Sequence, residues 1–367
     1  MNFSIEREKL LKPLQQVVGV VERRQTLPVL SNVLMVVDGD TLALTGTDME
    51  VELVARVALE QSFPHGEITV PAKKLLDICK SLPEESRIQF SLDDQKLLIK
   101  AGRSKFSLVT LPANEFPNLE DATGLVNFSI NQGYLKAVID RTGFAMAQQD
   151  VRFYLNGMLF EVSTNLLRAV ATDGHRLALC KADIQCEVEK PFQAIVPRKG
   201  VLELAKLFND VDADIAVALS TNHIRVESAD LRFTSKLIDG KFPDYERVLP
   251  KLGDKTVLCN KAEARQCFGR VAILSNEKYR GVRLRLESGS ITTVANNPEQ
   301  EEAEETFNVD YQGAELEIGF NVNYLLDVFN VIRSDTVKVQ LADSNSSALI
   351  TDAEDDSASY VVMPMRL

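Results

Sequence analysis

A threefold internal repeat constrains this chain more than any other feature of its sequence. Turn-forming residues follow an apolar stretch at three places, at Asp48, Asp173 and Asn297, which are 125 and 124 positions apart. A turn that returns at one period after similar apolar segments predicts three copies of one structural unit.

Two further landmarks keep nearly the same period. At the start of a predicted second helix the spacings are 126 and 124, between Pro71, Pro197 and Asn321. In the strand that closes each copy the spacing is 127 both times, between Phe106, Phe233 and Tyr360. Units of this length match the commonest domain size of roughly 100–150 residues. We therefore predict domains at 1–124, 125–253 and 254–367, with seams at Asp121–Gly124 and Gly253–Asp254.

Each copy is predicted to be an α+β unit in which strands flank two helices. The opening helix of the first copy has one apolar face, formed by Leu10, Leu11, Leu14, Val17, Val18 and Val21. Asn131 and Asn260 are predicted N-caps. The second helix starts with proline in two copies, which costs no hydrogen bond at the first helical position. The predicted helices are 6–21, 71–80, 131–146, 197–208, 260–271 and 321–333.

Strands are predicted from alternation of apolar and polar residues. The clearest alternating set is Val51, Leu53, Ala55, Val57 and Leu59. The closing strands of the three copies are predicted at 103–108, 231–237 and 360–363.

Composition narrows the class of protein. The five cysteines are odd in number and contain no Cys-x-x-Cys, which predicts free thiols in a reducing cytosol. We find no signal-peptide h-region and no apolar run near the roughly 20 residues that span a bilayer. The expected location is therefore cytoplasmic, with no membrane partner.

The net charge of −12 is distributed unevenly. The six predicted helices contain fifteen Lys and Arg against seven Asp and Glu, a surplus of +8, which leaves −20 for the rest of the chain. Ordinary solvated helix faces would balance near zero through i,i+4 pairs. If the repeats place their helices on one side, that side attracts phosphates without reading bases.

The motifs of catalysis that we sought are missing from the sequence. It contains no G-x-x-x-x-G-K-[ST] and no G-x-G-x-x-G, and its three histidines have no metal-ligand spacing. Asp173 beside His175 could serve acid–base chemistry, but the third copy has Asn297 and Pro298 at that turn. A DNA-binding protein, an enzyme that uses the 171–177 turn, and a protein-only scaffold remain the three hypotheses, and no cofactor is predicted.

Several stretches resemble a known family from one end of the chain to the other. The most specific are Thr45–Asp48, Tyr154–Phe160, Ala171–Arg176, Phe242–Tyr245, Ala272–Lys278, Asn296–Glu305 and Tyr360–Leu367. Together they are similar to the β subunits of bacterial DNA polymerase III, the sliding clamps, in their proteobacterial form. The resemblance implies three clamp domains per chain and a head-to-tail homodimer. The dimer is a closed six-domain ring with helices lining the hole and sheets outside.

The resemblance also implies a function without catalysis. A clamp encircles duplex DNA without sequence specificity and tethers the replicative polymerase, which confers processivity. The implied partners are duplex DNA, the polymerase III α subunit and the clamp-loader δ subunit. Other implied partners carry the same docking motif: translesion polymerases, ligase, mismatch-repair proteins and regulators of initiation.

Site residues follow from the same resemblance. The implied pocket for partner peptides comprises Leu155, Thr172, Gly174, His175, Arg176, Leu177, Pro243, Arg247, Val248, Ser347, Val361, Met363, Pro364, Met365 and Arg366. Apolar, Met-rich walls adapt to several peptides, which agrees with that role. The alternative is that Met363 and Met365 are core residues.

The implied DNA contacts are Arg24, Lys73, Gln149, Phe153 and Tyr154. Lys73 stands at a position where the family often has Arg. Phe153 stands at a position where the family often has Tyr, and Phe153 has no hydroxyl donor.

Complementary residues in the first and third copies predict the contact between chains. The third copy offers apolar and acidic residues, namely Ile273, Leu274, Glu299, Glu301, Glu302, Glu304 and Glu305. The first copy offers apolar and basic residues, namely Lys74, Arg103, Lys105, Phe106 and Leu108. Neither set is self-complementary, so the predicted contact is head-to-tail.

Overall fold

The three copies share one order of elements, and the fold is α+β as predicted. The computed structural model describes residues 1–22, 27–119, 124–207, 212–250 and 253–366. In these residues the second and third copies each run strand, helix, four strands, helix, three strands. In the first copy the four strands are joined into two long ones, β2 and β3, which lose register around Gly39.

The helices are short, and each repeat contains two. Their bounds are α1 Arg7–Val20, α2 Ala72–Ser81, α3 Gln132–Thr142, α4 Arg198–Leu207, α5 Lys261–Val271 and α6 Val322–Val331.

The strands of the first copy are β1 Asn2–Glu6, β2 Asn32–Thr47, β3 Val51–Pro71, β4 Arg87–Asp93, β5 Lys96–Ala101 and β6 Ser104–Val109. Those of the second are β7 Val126–Asn131, β8 Gly157–Ser163, β9 Leu166–Thr172, β10 Arg176–Asp183, β11 Phe192–Pro197, β12 Asp214–Leu219, β13 His223–Glu227 and β14 Leu231–Lys236. Those of the third are β15 Lys255–Asn260, β16 Gly281–Glu287, β17 Ser290–Asn296, β18 Glu302–Asp310, β19 Leu316–Asn321, β20 Thr336–Leu341, β21 Ala348–Asp352 and β22 Ala358–Val362.

Local chemistry explains where the helices begin. The Asn260 side chain accepts a hydrogen bond from the Glu263 amide at 3.0 Å, and Asn131 accepts from the Gly133 amide at 2.9 Å. Both predicted caps are confirmed, because each satisfies an N–H that the helix leaves without a partner. The prediction of proline at the first helical position is wrong by one residue. Pro71 and Pro197 immediately precede the helices and need no N–H there.

The apolar face of α1 also differs slightly from the prediction. Its buried residues are Leu10, Leu14, Val17 and Val20. Val21 follows the helix and does not extend that face, because the backbone is already extended there. All five residues of the predicted alternating strand are buried in β3.

The chain forms two compact units. The first contains Met1–Gly133 and Leu202–Leu237. Its sheets have the strand orders β1-β4-β5-β6 and β2-β3-β14-β13-β12-β7. The second contains Tyr134–Val201 and Ile238–Leu367. Its twelve strands have the order β11-β8-β9-β10-β22-β21-β20-β15-β18-β17-β16-β19. Strands of the second copy belong to both units, so the three domain boundaries given above remain predictions.

Antiparallel pairing joins one copy to the next inside each unit. In the second unit β10 pairs with β22, with Ala178 opposite Tyr360. In the first unit β3 pairs with β14, with Leu53 opposite Phe233. Among the described residues, β6 pairs only with β5, and β18 pairs only with β17 over its first seven residues. β6 and this part of β18 are therefore among the strand segments that keep an open edge, together with the other terminal strands of the three sheets.

Candidate functional site

The turn between β9 and β10 is held by its own side chains. The Thr172 hydroxyl donates to the Arg176 carbonyl at 2.6 Å and accepts from the Gly174 amide at 3.1 Å. The Asp173 carboxylate accepts from the amides of His175 and Arg176 at 2.9 and 3.0 Å. These bonds explain the Thr-Asp-Gly sequence as a turn, and they commit Asp173 to a structural role.

Two features favour glycine at position 174 of this turn. Its φ of +88° lies in the left-handed region that side chains avoid. A Cβ at this position would also lie 2.9 Å from the Arg152 guanidinium. Arg152 reaches the turn through a hydrogen bond to the Asp173 carbonyl at 3.1 Å.

Arg176 is enclosed by aromatic rings and carboxylates. Its guanidinium lies 5.2 Å from the Phe144 ring centroid and 4.5 Å from that of Tyr324. It donates to Asp327, and to the Phe144 carbonyl at 2.8 Å. Its Nε donates to Asp173 at 3.1 Å. Such contacts fix the guanidinium in place and leave His175, stacked on Tyr324 at 6.4 Å, as the exposed side chain of the turn.

An apolar cluster supports the turn from below. It contains Leu159, Val170, Leu177, Leu179, Ile195, Phe242, Tyr245 and Val361. Val248 and Tyr154 pack against it and are partly buried. Of the predicted pocket residues, Leu155, Leu177 and Val361 are at most 2% exposed, so they support the walls and do not form their surface.

A buried carboxylate pins the segment that carries Pro243, Arg247 and Val248. Glu161 accepts hydrogen bonds from Tyr245 at 2.8 Å, Gln193 at 2.6 Å and Arg168 at 2.8 Å. Burial alone would raise the pKa of Glu161, but these three donors outweigh it and lower the pKa. Burial, followed by the bond to Glu161, raises the pKa of Tyr245. The hydrogen bond between Glu161 and Tyr245 keeps Tyr245 buried, while Pro243 and Arg247 stay exposed.

The tail is attached at two points. The Met363 amide donates to the His175 carbonyl at 2.9 Å, and the Met365 amide donates to the Gly319 carbonyl at 2.8 Å. Met363, Pro364 and Met365 are half-buried and Arg366 is exposed, while Leu367 lies outside the described residues. The two methionines are therefore not fully buried core residues. Ser347, also half-buried, immediately precedes β21, which pairs with β22.

All fifteen predicted pocket residues lie in the second compact unit. They are brought together by four segments: the β9–β10 turn, the start of β21, the end of β22 and residues 243–248. Sequence reasoning missed Phe144, Arg152, Tyr324 and Asp327, which hold the turn. Only the repeat alignment of the helices could have indicated the last two, because they lie about 150 positions from Arg176.

The predicted DNA contacts lie in both units. Arg24 lies outside the described residues. Lys73 is exposed on α2 in the first unit. Gln149 and Phe153 are exposed in a loop of the second unit, and the Phe153 and Tyr154 rings contact each other edge to face at 5.8 Å. The same loop exposes Val151, at 95%, which sequence reasoning also missed.

The observed helix bounds preserve the charge surplus. The six helices contain fourteen Lys and Arg and six Asp and Glu, again +8, because Glu6 and Arg333 both lie outside them. The segregation of charge therefore does not depend on how the helix ends were predicted.

The predicted contact residues between chains lie at or near the open edges of β6 and β18. Lys105 and Phe106 belong to β6, and Arg103 immediately precedes it. Leu108 of that strand is buried, and Lys74 is exposed on α2. In the second unit Ile273 is 75% exposed and Leu274 is half-buried. Of the acidic residues, Glu299, Glu301 and Glu302 are exposed. Glu305 is half-buried and bonded to Arg270.

The five cysteines are free, as predicted from their number, and all five are buried. Burial raises the pKa of Cys79 and Cys259 to about 12. Within the described part of the chain, no helix is long and apolar enough to cross a membrane.

Comparisons with known proteins cover all three copies. The profile for the N-terminal domain of the DNA polymerase III beta subunit matches residues 1–120. The profile for the central domain matches 129–244, and that for the C-terminal domain matches 246–366. A beta sliding clamp of Pseudomonas aeruginosa is 62% identical over 367 residues, and one of Escherichia coli is 53% identical, each covering 100% of both chains.

Solved structures agree with the sequence comparisons. A crystal structure of the Pseudomonas aeruginosa DNA polymerase III subunit beta matches with a TM-score of 0.98 at 61% identity and covers both chains fully. A Bartonella birtlesii sliding clamp bound to griselimycin matches with a TM-score of 0.96 at 38% identity, again over 100% of both chains.

Proposed function

The chain belongs to the DNA polymerase III beta subunit family, and on that premise we propose how its residues carry out the work of a sliding clamp. It is a processivity factor, not an enzyme, and its fold is that of a head-to-tail dimer closed into a ring. The observation that carries the proposal is the +8 on the helices against −20 elsewhere. A helix-lined hole with that charge attracts duplex DNA through its phosphates alone.

The proposed DNA contacts are Arg24, Lys73, Gln149, Phe153 and Tyr154. Lys73 acts as a point charge on phosphate. Phe153, with Val151 beside it, offers apolar surface and no hydroxyl donor, so its contact is with sugars or bases and not with phosphate. The test is retention on circular and on linearised plasmid. We expect the protein to stay on the circle and to leave the linear DNA, whereas equal retention on both would contradict encirclement.

The proposed partner site is the surface formed by the β9–β10 turn, the 243–248 segment and the tail 363–366. Half-buried Met363 and Met365 can repack around several apolar side chains. The proposed ligands are short Gln- and Leu-containing peptides of the polymerase α subunit, the clamp-loader δ subunit and the other partners named above. Deletion of 363–367 should abolish binding of such a peptide and leave the dimer intact. Unchanged peptide affinity would refute the assignment.

The proposed contact between chains joins the open edge of β18 to the open edge of β6 in the partner. Its register follows from the repeats. Gly46, Ala171 and Ala295 each lie two residues before a turn landmark, and their hairpin partners are Leu53, Ala178 and Ala303.

Two of these hairpin partners already pair with a closing-strand landmark, Leu53 with Phe233 and Ala178 with Tyr360. The same rule sets Ala303 opposite Phe106 of the partner subunit. Antiparallel pairing then sets Glu304 opposite Lys105 of the partner subunit. Both side chains are exposed in the single chain, and opposite charges at facing positions stabilise a pair of strands by roughly 0.2–1 kcal/mol.

A role in replication places the protein in the bacterial cytoplasm, with the chromosome. We propose that location on the strength of the family alone.

A further inference from the structure

The first compact unit contains a cavity that the proposed function does not use. Its volume is about 300 Å³. It is lined by Thr47, Met49, Pro117, Asn118, Leu119, Asn222, His223 and Lys236. The repeat spacing makes Thr47 the counterpart of Thr172, Pro117 that of Pro243, and Lys236 that of Met363. The cavity is thus the first-unit counterpart of the proposed partner-peptide site.

The two sites share one hydrogen-bonded backbone. The Thr47 hydroxyl donates to the Val51 carbonyl at 2.8 Å and accepts from the Met49 amide at 3.0 Å. Asp48 accepts from the amides of Glu50 and Val51 at 2.9 and 2.7 Å. The Lys236 amide donates to the Glu50 carbonyl at 2.8 Å, as Met363 does to His175. The frame is therefore preserved bond for bond.

The side chains of the two sites differ in chemistry. Lys236 is exposed at the end of β14, where the other site has Met363, and it forms no ion pair with a described residue. Met49 adopts a φ of +75°, where Gly174 stands in the other site, and it is 41% exposed. A non-glycine residue in that conformation is strained, and such residues concentrate at binding sites.

The remaining lining supplies polar groups above an apolar floor. Asn118 and Asn222 are exposed amides, while Pro117 and Leu119 are half-buried. The nearby acidic side chains are Asp48, Glu50 and Glu52. Asp48 is committed to the turn, and buried Glu52 accepts from the Leu119 amide at 3.1 Å and lies 3.9 Å from Arg232. Glu50 is exposed but does not line the cavity, so Lys236 is the one Lys, Arg, Asp or Glu in its lining.

We propose that this cavity is a second docking site, which takes an acidic peptide segment where the first site takes an apolar one. A Glu or Asp side chain of the ligand accepts hydrogen bonds from Lys236 and the Asn amides. Its apolar neighbour covers Met49, Pro117 and Leu119. A pocket of this size with one cation and an apolar floor suits one or two residues of a peptide. The comparison between sites rests on the proposed function, but the lining of this cavity does not.

Two methionine reporters distinguish the sites in one experiment. In the full-length protein with ¹³C-methyl-labelled methionine, Met49 reports on this cavity, and Met363 and Met365 report on the other site. The probes are acetyl-Gln-Leu-Glu-Leu-amide and its matched analogue acetyl-Gln-Leu-Gln-Leu-amide. We expect the Glu peptide to shift the Met49 signal saturably, and the Gln peptide to leave it unmoved.

Lys236→Met should weaken the Met49 response about tenfold or more, the usual effect of losing one charge-assisted hydrogen bond. Lys241→Met removes an exposed charge outside the lining and should leave the response unchanged. An unmoved Met49 signal, equal shifts with both peptides, or an unaltered response in Lys236→Met would each overturn the proposal. Shifts of the Met363 and Met365 signals are measured separately. A peptide that fails to bind the partner-peptide site is therefore distinguished from one that fails to bind this cavity.

Discussion

At the scale of single residues, side chains chosen for local turns also build the site. Thr172, Asp173 and Gly174 could be read from the sequence as a turn, and their hydrogen bonds confirm it. The enclosure of Arg176 could not be read, because Phe144 and Tyr324 lie 32 and 148 positions away and carry no local signal. Contacts of this kind depend on tertiary packing, which periodicity does not encode.

Tyr245→Phe tests whether the buried carboxylate positions the partner-peptide wall. Glu161 loses one of its three donors, which should cost about 1–3 kcal/mol of stability. The 243–248 segment should also loosen, so that peptide affinity falls several-fold in calorimetric titration. Tyr311→Phe is the matched control, since that buried hydroxyl donates to the Ala314 carbonyl at 2.7 Å in the third copy. It should lower stability without changing peptide affinity, and an equal loss of affinity in both variants would argue against positioning.

Asp355 gives a prediction for pH. Burial would raise its pKa, but hydrogen bonds from Ser357 and Arg141 to the carboxylate lower it to about 2. A depressed folded-state pKa means that the carboxylate stabilises the fold above its unfolded pKa of about 4. That contribution is lost as the pH falls toward about 2.

Asp355→Asn should therefore reduce the free energy of unfolding by about 1 kcal/mol at neutral pH, a modest value because the side chain is 35% exposed and solvent screens it. The difference from the unmutated protein, followed by urea unfolding, should shrink between about pH 4 and pH 2. Asp356→Asn, at an exposed neighbour, should show no such difference. A pH-independent effect of Asp355→Asn would exclude the ion pair as its cause.

At the scale of elements, the repeat predicted the order of helices and strands better than their ends. The Asn131 and Asn260 caps were readable because one side chain satisfies one nearby amide. The long strands of the first copy were not, because β2 and β3 each run through a register shift around Gly39 that has no residue pattern of its own. Open edges are visible only when every pairing partner is known.

The proposed register between β18 and the partner's β6 can be tested by cross-linking. Ala303→Cys with Phe106→Cys should form a disulfide between chains under mild oxidation, since facing strand positions lie within the 4.4–6.8 Å that Cα atoms of a disulfide span. The five native cysteines are buried with free thiols and should not compete. Ala303→Cys with Leu108→Cys shifts the pair by two residues and is the matched control. Efficient cross-linking of the shifted pair would disprove the register.

At the scale of the whole molecule, the charge distribution and the open edges of β18 and β6 determine how chains assemble. The acidic edge of β18 and the basic edge of β6 lie in different compact units and are therefore different surfaces, which makes a contact between them head-to-tail. A net charge of −12 by itself disfavours DNA as a partner, and only division of the charge by element type reverses that inference. Family membership then supplied ring closure, which a single chain cannot display.

Ile273→Ala with Leu274→Ala should convert the dimer into a folded monomer. Ile273 is 75% exposed in the single chain, and buried interface anchors typically cost about 2 kcal/mol or more when truncated. The ring has two such contacts, so the change acts twice. The mutant should still bind partner peptides but should leave circular DNA. Tyr279→Ala, at another exposed apolar residue, is the control, and a double mutant that sediments as a dimer at micromolar concentration would refute the anchor assignment.

The difference between the two open edges also limits what this chain can polymerise into. The β18 edge pairs only with a β6 edge, and the β6 edge pairs only with a β18 edge. Each added chain therefore leaves one β18 edge and one β6 edge unpaired. Growth stops only if successive contacts turn the chain back on its own start; any other rotation yields an open helical filament. A substitution that alters strand twist near Gln300 or Gly102, without weakening the pairing, would therefore convert rings into fibres and not into monomers.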